Sequence, residues 1–143
     1  HDIETSWLMD RGLEVLADPA YTEKLAPITE EIAEAIYEKA YVNHSLMNEA
    51  EKGVDDTTRV WWIQAETVVG FINAWQKKFL QAAEDVWEYI RKYLVDPREG
   101  SEWFWCVEAD GTPIHKPIVE PWKCPYHNGR MCMEVIRRMS DAS

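Results

Sequence analysis

The stretch RVWWIQAETVVGFINAWQ, Arg59–Gln76, is apolar on nearly every side. Such a stretch predicts a helix that neighbouring elements cover on most of its faces. Trp62 and Glu66 are four residues apart and share one face, and Gly70, one turn further, leaves open space above the backbone. A carboxylate in so apolar a helix needs a partner. Glu66 is therefore predicted either to pair with a buried arginine or lysine or, beside Trp62, to bind a ligand such as a sugar.

Helical periodicity predicts four further helices around this one. Their expected ranges are about 2–17, 22–41, 77–95 and 128–139. Residues 42–58 are predicted to form a polar connection. The stretch SEWFWCVEADGTPIHKP, 101–117, is predicted to form a β-hairpin that turns at Asp110-Gly111. The sequence thus predicts an all-α chain of about five helices with one β-hairpin.

The predicted number of helices is odd, because two consecutive antiparallel pairs leave one helix without a partner. The chain also begins at His1 rather than at a methionine, and its third helix is apolar almost throughout. These features favour an excised part of a larger fold. We expect the partner elements to come from another segment or another copy, so self-association is possible.

The charge balance restricts the possible partners. With 26 acidic and 15 basic residues, the net charge is -11 and no basic stripe is present. This argues against binding of nucleic acid or anionic membranes and favours a neutral ligand. No apolar run approaches the length of a membrane span, and no signal peptide opens the chain. Three cysteines, an odd number in a chain of this size, favour a reduced, cytoplasmic setting.

A histidine stands where a rigid loop turns into a helix in WKCPYHNGRMCMEVIRR, Trp122–Arg138. Pro121 and Pro125 stiffen the approach, and apolar residues recur at helical spacing after Asn128. His127 is therefore predicted at a helix N-terminus, where the helix macrodipole favours the neutral imidazole that can accept a proton. It is a candidate general base; the alternative is a capping or packing histidine.

A second histidine opens the first helix. His1, Glu4 and Trp7 share one face of it, which places an acid beside a base. The alternative is a frayed helix end with a solvated glutamate. The chain has eight tryptophans, which suit either core filling or stacking on a sugar ring.

Zinc binding is not predicted. Cys124 and His127 have the spacing of one zinc-binding pair, but a structural site normally needs two such pairs. Phosphate-binding glycine loops and the serine elbow of hydrolases are also missing from the sequence. No cofactor is therefore predicted.

Three motifs carry a resemblance to a known family: HDIETSW at 1–7, VWWIQAE at 60–66 and WKCPYHNGR at 122–130. The chain resembles the cellobiose 2-epimerase branch of the N-acylglucosamine 2-epimerase superfamily over essentially all 143 residues. The resemblance implies an (α/α)6 barrel, six helical hairpins around a central cleft. Residues 1–143 would be the C-terminal part of that single domain.

The resemblance also implies an activity. The family interconverts glucose and mannose configurations at C2 of a reducing-end sugar without a cofactor, so the implied partner is a mono- or disaccharide. By position in the motifs, the catalytic residues would be His1 and His127. The substrate-binding residues would be Glu4, Trp7, Trp62, Glu66 and Trp122. The family's N-terminal half supplies an arginine and other ligands with no counterpart here, so this chain is expected to need that half for activity.

Histidine suits this reaction. Inversion at C2 requires removal of a proton and return of a proton to the opposite face of a planar enediol, which two bases can do. The unperturbed pKa of histidine, roughly 6.5, lies near working pH. Following the resemblance, His127 is expected to abstract the proton from the glucose form, and Glu4 to orient His1. The alternatives are an N-acylglucosamine 2-epimerase, a mannose isomerase or a non-catalytic carbohydrate-binding module.

Overall fold

Five α-helices form the framework of the part of the chain that the structure describes, as the sequence predicts. The computed structural model describes residues 1–75 and 77–141. The helices are α1 Asp2–Leu16, α2 Pro19–Lys39, α3 Trp61–Ala74, α4 Lys77–Tyr89 and α5 Tyr126–Asp141. The predicted end of the third helix, Gln76, lies outside the described residues. Within the described ranges, no helix is both long enough and apolar enough to cross a membrane.

Helix α3 is the centre of the fold. It packs against α1, α4 and α5, while α1 pairs with α2. Eleven of its fourteen residues are buried, as its apolar sequence predicts. Helices α1 and α3 approach so closely at Gly70 that a Cβ atom there would meet the side chain of Ile3 and lie 3.2 Å from its carbonyl oxygen. The absence of a side chain at this glycine therefore permits the contact.

Helix α2 begins earlier than the sequence analysis predicted. Asp18 is its N-cap, and its carboxylate accepts a hydrogen bond of 2.9 Å from the backbone of Ala20. Pro19 occupies the first helical position, where its fixed φ and missing N–H cost nothing. Asp18-Pro19 therefore starts α2 as well as ending the segment before it, and Pro27 lies inside the helix.

A π-helical turn at Ile90–Leu94 continues α4. The backbone N–H of Val95 donates to the carbonyl of Ile90 at 3.0 Å, which is the five-residue spacing of such a turn. Ile90 and Leu94 are both fully buried. The turn thus directs the end of this helix into the core.

The segment between α2 and α3 contains strands rather than the polar connection predicted. The strands are β1 Tyr41–Val42, β2 Ser45–Leu46, β3 Glu49–Glu51, β4 Val54–Asp56 and β5 Arg59–Val60. Strands β1 and β2 form one hairpin, and β3 and β4 form another. Each turn has two residues, both with positive φ: Asn43 and His44 in the first, and Lys52 and Gly53 in the second. This is the turn geometry that matches strand twist.

The hairpin predicted at 101–117 is much reduced. Strand β6, Cys106–Val107, pairs with β5 rather than with a full return strand. The predicted turn is present, because Gly111 has φ 90° and its N–H donates to the carbonyl of Glu108 at 2.9 Å. The returning chain meets β6 through a single bridge between Val107 and Pro113. The β5–β6 pair instead holds the 101–107 loop beside the start of α3.

Candidate active site

Three aromatic rings converge where α1, α3 and α5 begin. His1 precedes α1, Trp62 is the second residue of α3, and His127 is the second residue of α5. The ring centroid of Trp62 lies 4.7 Å from that of His1 and 5.4 Å from that of His127. The two imidazole centroids therefore lie at most about 10 Å apart, the total of those two distances. The structure brings the two predicted catalytic histidines to one place.

His127 lies in the first turn of α5, because this helix starts at Tyr126 rather than at the predicted Asn128. The backbone N–H of Gly129 donates to the carbonyl of Pro125 at 2.9 Å, which closes that first turn. His127 is only 7% exposed. The predicted position at a helix N-terminus is confirmed.

Glu66 is the polar centre of the site. It is 1% exposed, and its Oε1 lies 2.7 Å from Nδ1 of His127. The same oxygen accepts a 2.7 Å hydrogen bond from Arg130, while Oε2 accepts a 3.0 Å bond from Nε1 of Trp7. Burial by itself would raise the pKa of Glu66, but the bonds from His127, Arg130 and Trp7 outweigh it and lower the pKa. Glu66 is therefore a buried carboxylate with three donors around it.

This pairing decides which nitrogen of His127 can act as a base. A carboxylate can only accept, so Nδ1 carries the proton that it shares with Glu66. In the neutral ring, Nε2 then has the free lone pair. A histidine oriented in this way by a buried acid is suited to general base catalysis.

Arg130 is a site residue that the sequence analysis missed. Its guanidinium donates to Glu4 at 2.6 Å as well as to Glu66, and lies 5.1 Å from the ring centroid of Trp7. Burial lowers its pKa, but the hydrogen bonds to Glu66 and Glu4 outweigh burial and raise it. Arg130 stands three residues after His127, so the two share a face of α5. That spacing was the signal available in the sequence.

The other predicted residues differ in their exposure. Trp7 is 2% exposed, and its indole is turned to Glu66. Glu4 is hydrogen-bonded to Arg130; within the described part of the chain, no hydrogen bond joins it to His1. Trp122 is 82% exposed and takes no part in the ring contacts that connect Trp62 to the histidines. Ring contacts or hydrogen bonds thus connect every predicted site residue except Trp122 to this cluster.

One group of residues has ligand atoms close enough to hold a metal ion. Glu4, Glu66 and His127 each offer an atom within 4.8 Å of the others. The guanidinium of Arg130 already donates to both carboxylates, so a positive charge is in place there. Over residues 1–75 and 77–141, Cys124 belongs to no such group.

Comparison with known proteins identifies relatives of this chain. The N-acylglucosamine 2-epimerase (GlcNAc 2-epimerase) family model matches residues 1–129. A cellobiose 2-epimerase of Ruminococcus albus is 52% identical over 146 aligned residues, covering 99% of this chain and 38% of the relative. One from Dictyoglomus turgidum is 46% identical and covers 97% of this chain and 37% of its own length. The chain therefore spans little more than a third of the curated relatives it matches.

Solved structures give the same result. A sugar epimerase from a ruminal bacterium superposes with a TM-score of 0.94 at 52% identity, over 96% of this chain and 37% of its own. Cellobiose 2-epimerase from Bacillus thermoamylovorans gives 0.89 at 48% identity, over 96% and 36%. A D-mannose isomerase at 18% identity has a TM-score of 0.82, which shows the fold alone. The predicted fold, part of an (α/α)6 barrel, is confirmed, and the chain belongs to the N-acylglucosamine 2-epimerase family.

Proposed function

We propose that this chain carries the two catalytic bases of a sugar 2-epimerase. The enzyme interconverts glucose and mannose at the reducing end of a β-linked disaccharide such as cellobiose. The observation that supports this most directly is the placement of His1 and His127 against the same Trp62 ring, with Glu66 behind His127. The family membership and the names of the relatives agree with it.

The spacing of the two histidines suits a reaction at one carbon. A base about 3–3.5 Å from each face of C2 is close enough to react. The two basic nitrogens would then be roughly 6–7 Å apart, on either side of the carbon. Imidazole centroids no more than about 10 Å apart allow this separation.

The proton transfers balance without a cofactor. The sugar ring opens to its aldehyde, and Nε2 of His127 takes the C2 proton of the glucose form, leaving an enediolate. His1, initially protonated, gives a proton to the opposite face of C2 and the mannose form results. Proton exchange with solvent then resets both rings. Each well-placed acid–base group contributes about 100- to 10,000-fold to such a rate.

We propose that Glu66 orients His127 and stabilises its imidazolium form. Its Oε2 accepts one bond, from Trp7, so this oxygen can still receive a sugar hydroxyl. In this arrangement Trp62 packs against the reacting sugar, and the exposed face of Trp122 stacks on the second sugar. Glu4 and Trp7 contribute to substrate binding indirectly, because Glu4 holds Arg130 and Trp7 holds Glu66.

We further propose that residues 1–143 act as the C-terminal part of a single barrel domain. The relatives are much longer, since this chain covers 35–38% of them. Helix α5 also exposes apolar side chains: Met133 at 66%, Ile136 at 67% and Met139 at 53%. Helices from the rest of the barrel would cover this face and supply the donor that stabilises the enediolate oxygen.

The test is a chimera in which this chain replaces the matching part of the Ruminococcus albus enzyme. The chimera and the chain alone are incubated with cellobiose in D2O and followed by proton NMR. We expect the chimera to incorporate deuterium at C2 and form a mannose reducing end, and the chain alone to do neither. A chimera that folds and binds cellobiose without exchange would contradict the proposal and favour a carbohydrate-binding module.

The product separates the related activities. Formation of a ketose would identify an aldose–ketose isomerase, because the proton then returns to C1. Reaction of N-acetylglucosamine in place of cellobiose would identify an N-acylglucosamine 2-epimerase.

A further inference from the structure

A fully buried lysine lies behind the candidate active site, and the mechanism above does not use it. Lys123 is 0% exposed. Its Nζ lies 3.5 Å from Oε2 of Glu102 and 5.1 Å from the ring centroid of Trp61. Burial lowers the pKa of the Lys123 ammonium, and Glu102 offsets part of that effect. We call Lys123, Glu102, Trp61 and Asn128 the Lys123 cluster.

Glu102 joins two segments of the chain. Its Oε2 accepts a 3.5 Å hydrogen bond from Nζ of Lys123, which belongs to the loop before α5. The other accepts a 2.9 Å hydrogen bond from Nδ2 of Asn128, in the first turn of α5. The backbone N–H of Trp103 also donates to this oxygen, at 2.7 Å. A single acid therefore fixes the loop relative to the helix.

Lys123 also closes the turn that carries Trp122. The backbone of Lys123 exchanges two hydrogen bonds with Glu120, at 2.9 and 3.2 Å. Trp122 lies within this turn and projects into solvent. The buried side chain of Lys123 is thus the anchor of an exposed tryptophan.

Each member of the cluster other than Glu102 directly follows or precedes a predicted site residue. Lys123 follows Trp122, and Asn128 follows His127. Trp61 precedes Trp62, and its ring centroid lies 6.2 Å from that of His127. A shift within the cluster must therefore move the groups proposed to hold and deprotonate the sugar.

Stability gives little reason for a lysine at this position. A buried ion pair seldom adds net stability, and apolar residues of similar volume are often neutral or better. A pair separated by 3.5 Å, whose acid is 22% exposed, is not an especially favourable one. The free-energy cost of burying the ammonium is explained if the contact between Lys123 and Glu102 is needed to hold the site residues in place.

We propose that Lys123 is a positioning residue for the epimerase: through Glu102 and Trp61 it fixes Trp122 and His127 relative to Trp62. The inference rests on the proposed function. A displacement of about 1 Å in a reacting group can cost about 100-fold in rate. Loss of Lys123 should therefore slow the chemical step rather than unfold the protein.

The test compares Lys123→Met with the double variant Glu102→Gln/Lys123→Met in the chimera. The double variant removes both charges, while the oxygen of the new amide can still accept from Asn128 and Trp103. We expect kcat to fall about 10- to 100-fold in both, and the Tm of the double variant to match the parent. Lys78→Met is the matched control, because Lys78 pairs with Glu34 over the rings of Tyr37 and Phe79, away from the site. It should leave kcat unchanged.

A second readout does not depend on catalysis. The Nδ1 proton that His127 shares with Glu66 should give a low-field NMR signal in this chain, assigned by its loss in His127→Asn. We expect Lys123→Met to shift or broaden this signal and Lys78→Met to leave it in place.

The outcomes are distinguishable. An active chimera whose kcat is unaffected by Lys123→Met would overturn the positioning role while leaving the epimerase standing. A double variant that loses Tm together with kcat would assign the cluster a purely structural role and also overturn the inference. If the parent chimera folds and binds cellobiose but is inactive, the proposed function fails. The role in the epimerase then fails with it, and the NMR signal tests only whether Lys123 positions His127, which an unmoved signal would overturn.

Discussion

The Nδ1 atom of His127 lies 2.7 Å from Oε1 of Glu66, and both side chains are buried. The pair joins the first turn of α5 to α3 and so fixes one catalytic candidate against the helix that carries Trp62. Arg130 donates to the same Oε1 oxygen. It thereby favours the ionised acid, which in turn keeps the proton of His127 on Nδ1. The reactivity of His127 therefore depends on residues from two helices.

Replacing Glu66 by glutamine should remove the carboxylate that holds the proton of His127 on Nδ1. The amide can place an N–H against His127 and favour the wrong tautomer, as loss of the acid does in serine protease triads. We expect kcat of the chimera to fall about 100-fold or more, measured as deuterium incorporation at C2. Glu84→Gln, on the exposed surface of α4, should leave kcat within about twofold of the parent. Equal rates in Glu66→Gln and the parent would remove Glu66 from the mechanism.

If each histidine serves one face of C2, replacing either one in the chimera should abolish exchange at that face only. His1→Asn retains His127, so we expect it to exchange deuterium into C2 of cellobiose without forming the mannose epimer. His127→Asn retains His1, so it should exchange deuterium only into the mannose epimer. NMR of each variant with each epimer in D2O measures both results. The opposite pattern would reverse the roles of the histidines, and exchange of both epimers by one variant would contradict a two-base mechanism.

The pairing of Glu66 should also appear in acid stability. Its pKa in the folded chain lies below its ordinary value of 4.5. The pairing therefore stabilises the fold fully above pH 4.5, and this stabilisation is lost as pH falls through the folded pKa. We expect Glu66→Gln to lower the free energy of unfolding by about 2 kcal/mol at pH 7, because it leaves Arg130 and His127 with a weaker acceptor.

Denaturant unfolding at pH 7, 5, 4 and 3 measures this effect. The difference between the parent chain and Glu66→Gln should shrink as pH falls below 4.5, through the folded pKa of Glu66. Glu84→Gln, measured at the same pH values, is the control for loss of one surface carboxylate. A difference that grows between pH 5 and pH 3 would mean that the pKa of Glu66 is raised rather than lowered in the native chain.

The sequence predicted what depends on spacing within one element. The number and approximate positions of the helices, the shared face of Trp62 and Glu66, and the position of His127 at a helix start all follow from local pattern. The sequence could not show that Trp7 turns its indole to Glu66, because that contact depends on how closely α1 approaches α3. Arg130 was missed for a related reason, since its partners Glu4 and Glu66 lie on two other helices.

The loops were the least predictable part. The two hairpins at 41–56 have turns at Asn43-His44 and Lys52-Gly53, of which only the glycine is a strong signal for positive φ. Lys123 reads as an ordinary polar loop residue, and only the fold shows that it is buried. Polar residues at such positions are determined by contacts between segments distant in sequence.

The close contact at Gly70 provides a test of whether helix spacing controls the site. In Gly70→Ala, the new Cβ overlaps the Ile3 side chain and lies 3.2 Å from the Ile3 carbonyl oxygen, so Ile3 must shift. Since His1 is two residues from Ile3, the shift should separate its ring from Trp62. We expect a loss of stability of about 1–3 kcal/mol and a drop in kcat of the chimera. Thermal unfolding and deuterium exchange at C2 measure the two effects.

Gly12→Ala is the matched control, because Gly12 lies inside α1 with no atom within 4 Å of its Cβ position. It should raise stability by about 0.5–1 kcal/mol through helix propensity and leave kcat unchanged. Ile3→Ala combined with Gly70→Ala should be less destabilised than the sum of the two single variants, because the smaller side chain relieves the overlap. If the losses of stability are additive, the side chains at positions 3 and 70 do not overlap. The position of His1 would then not depend on the packing at Gly70.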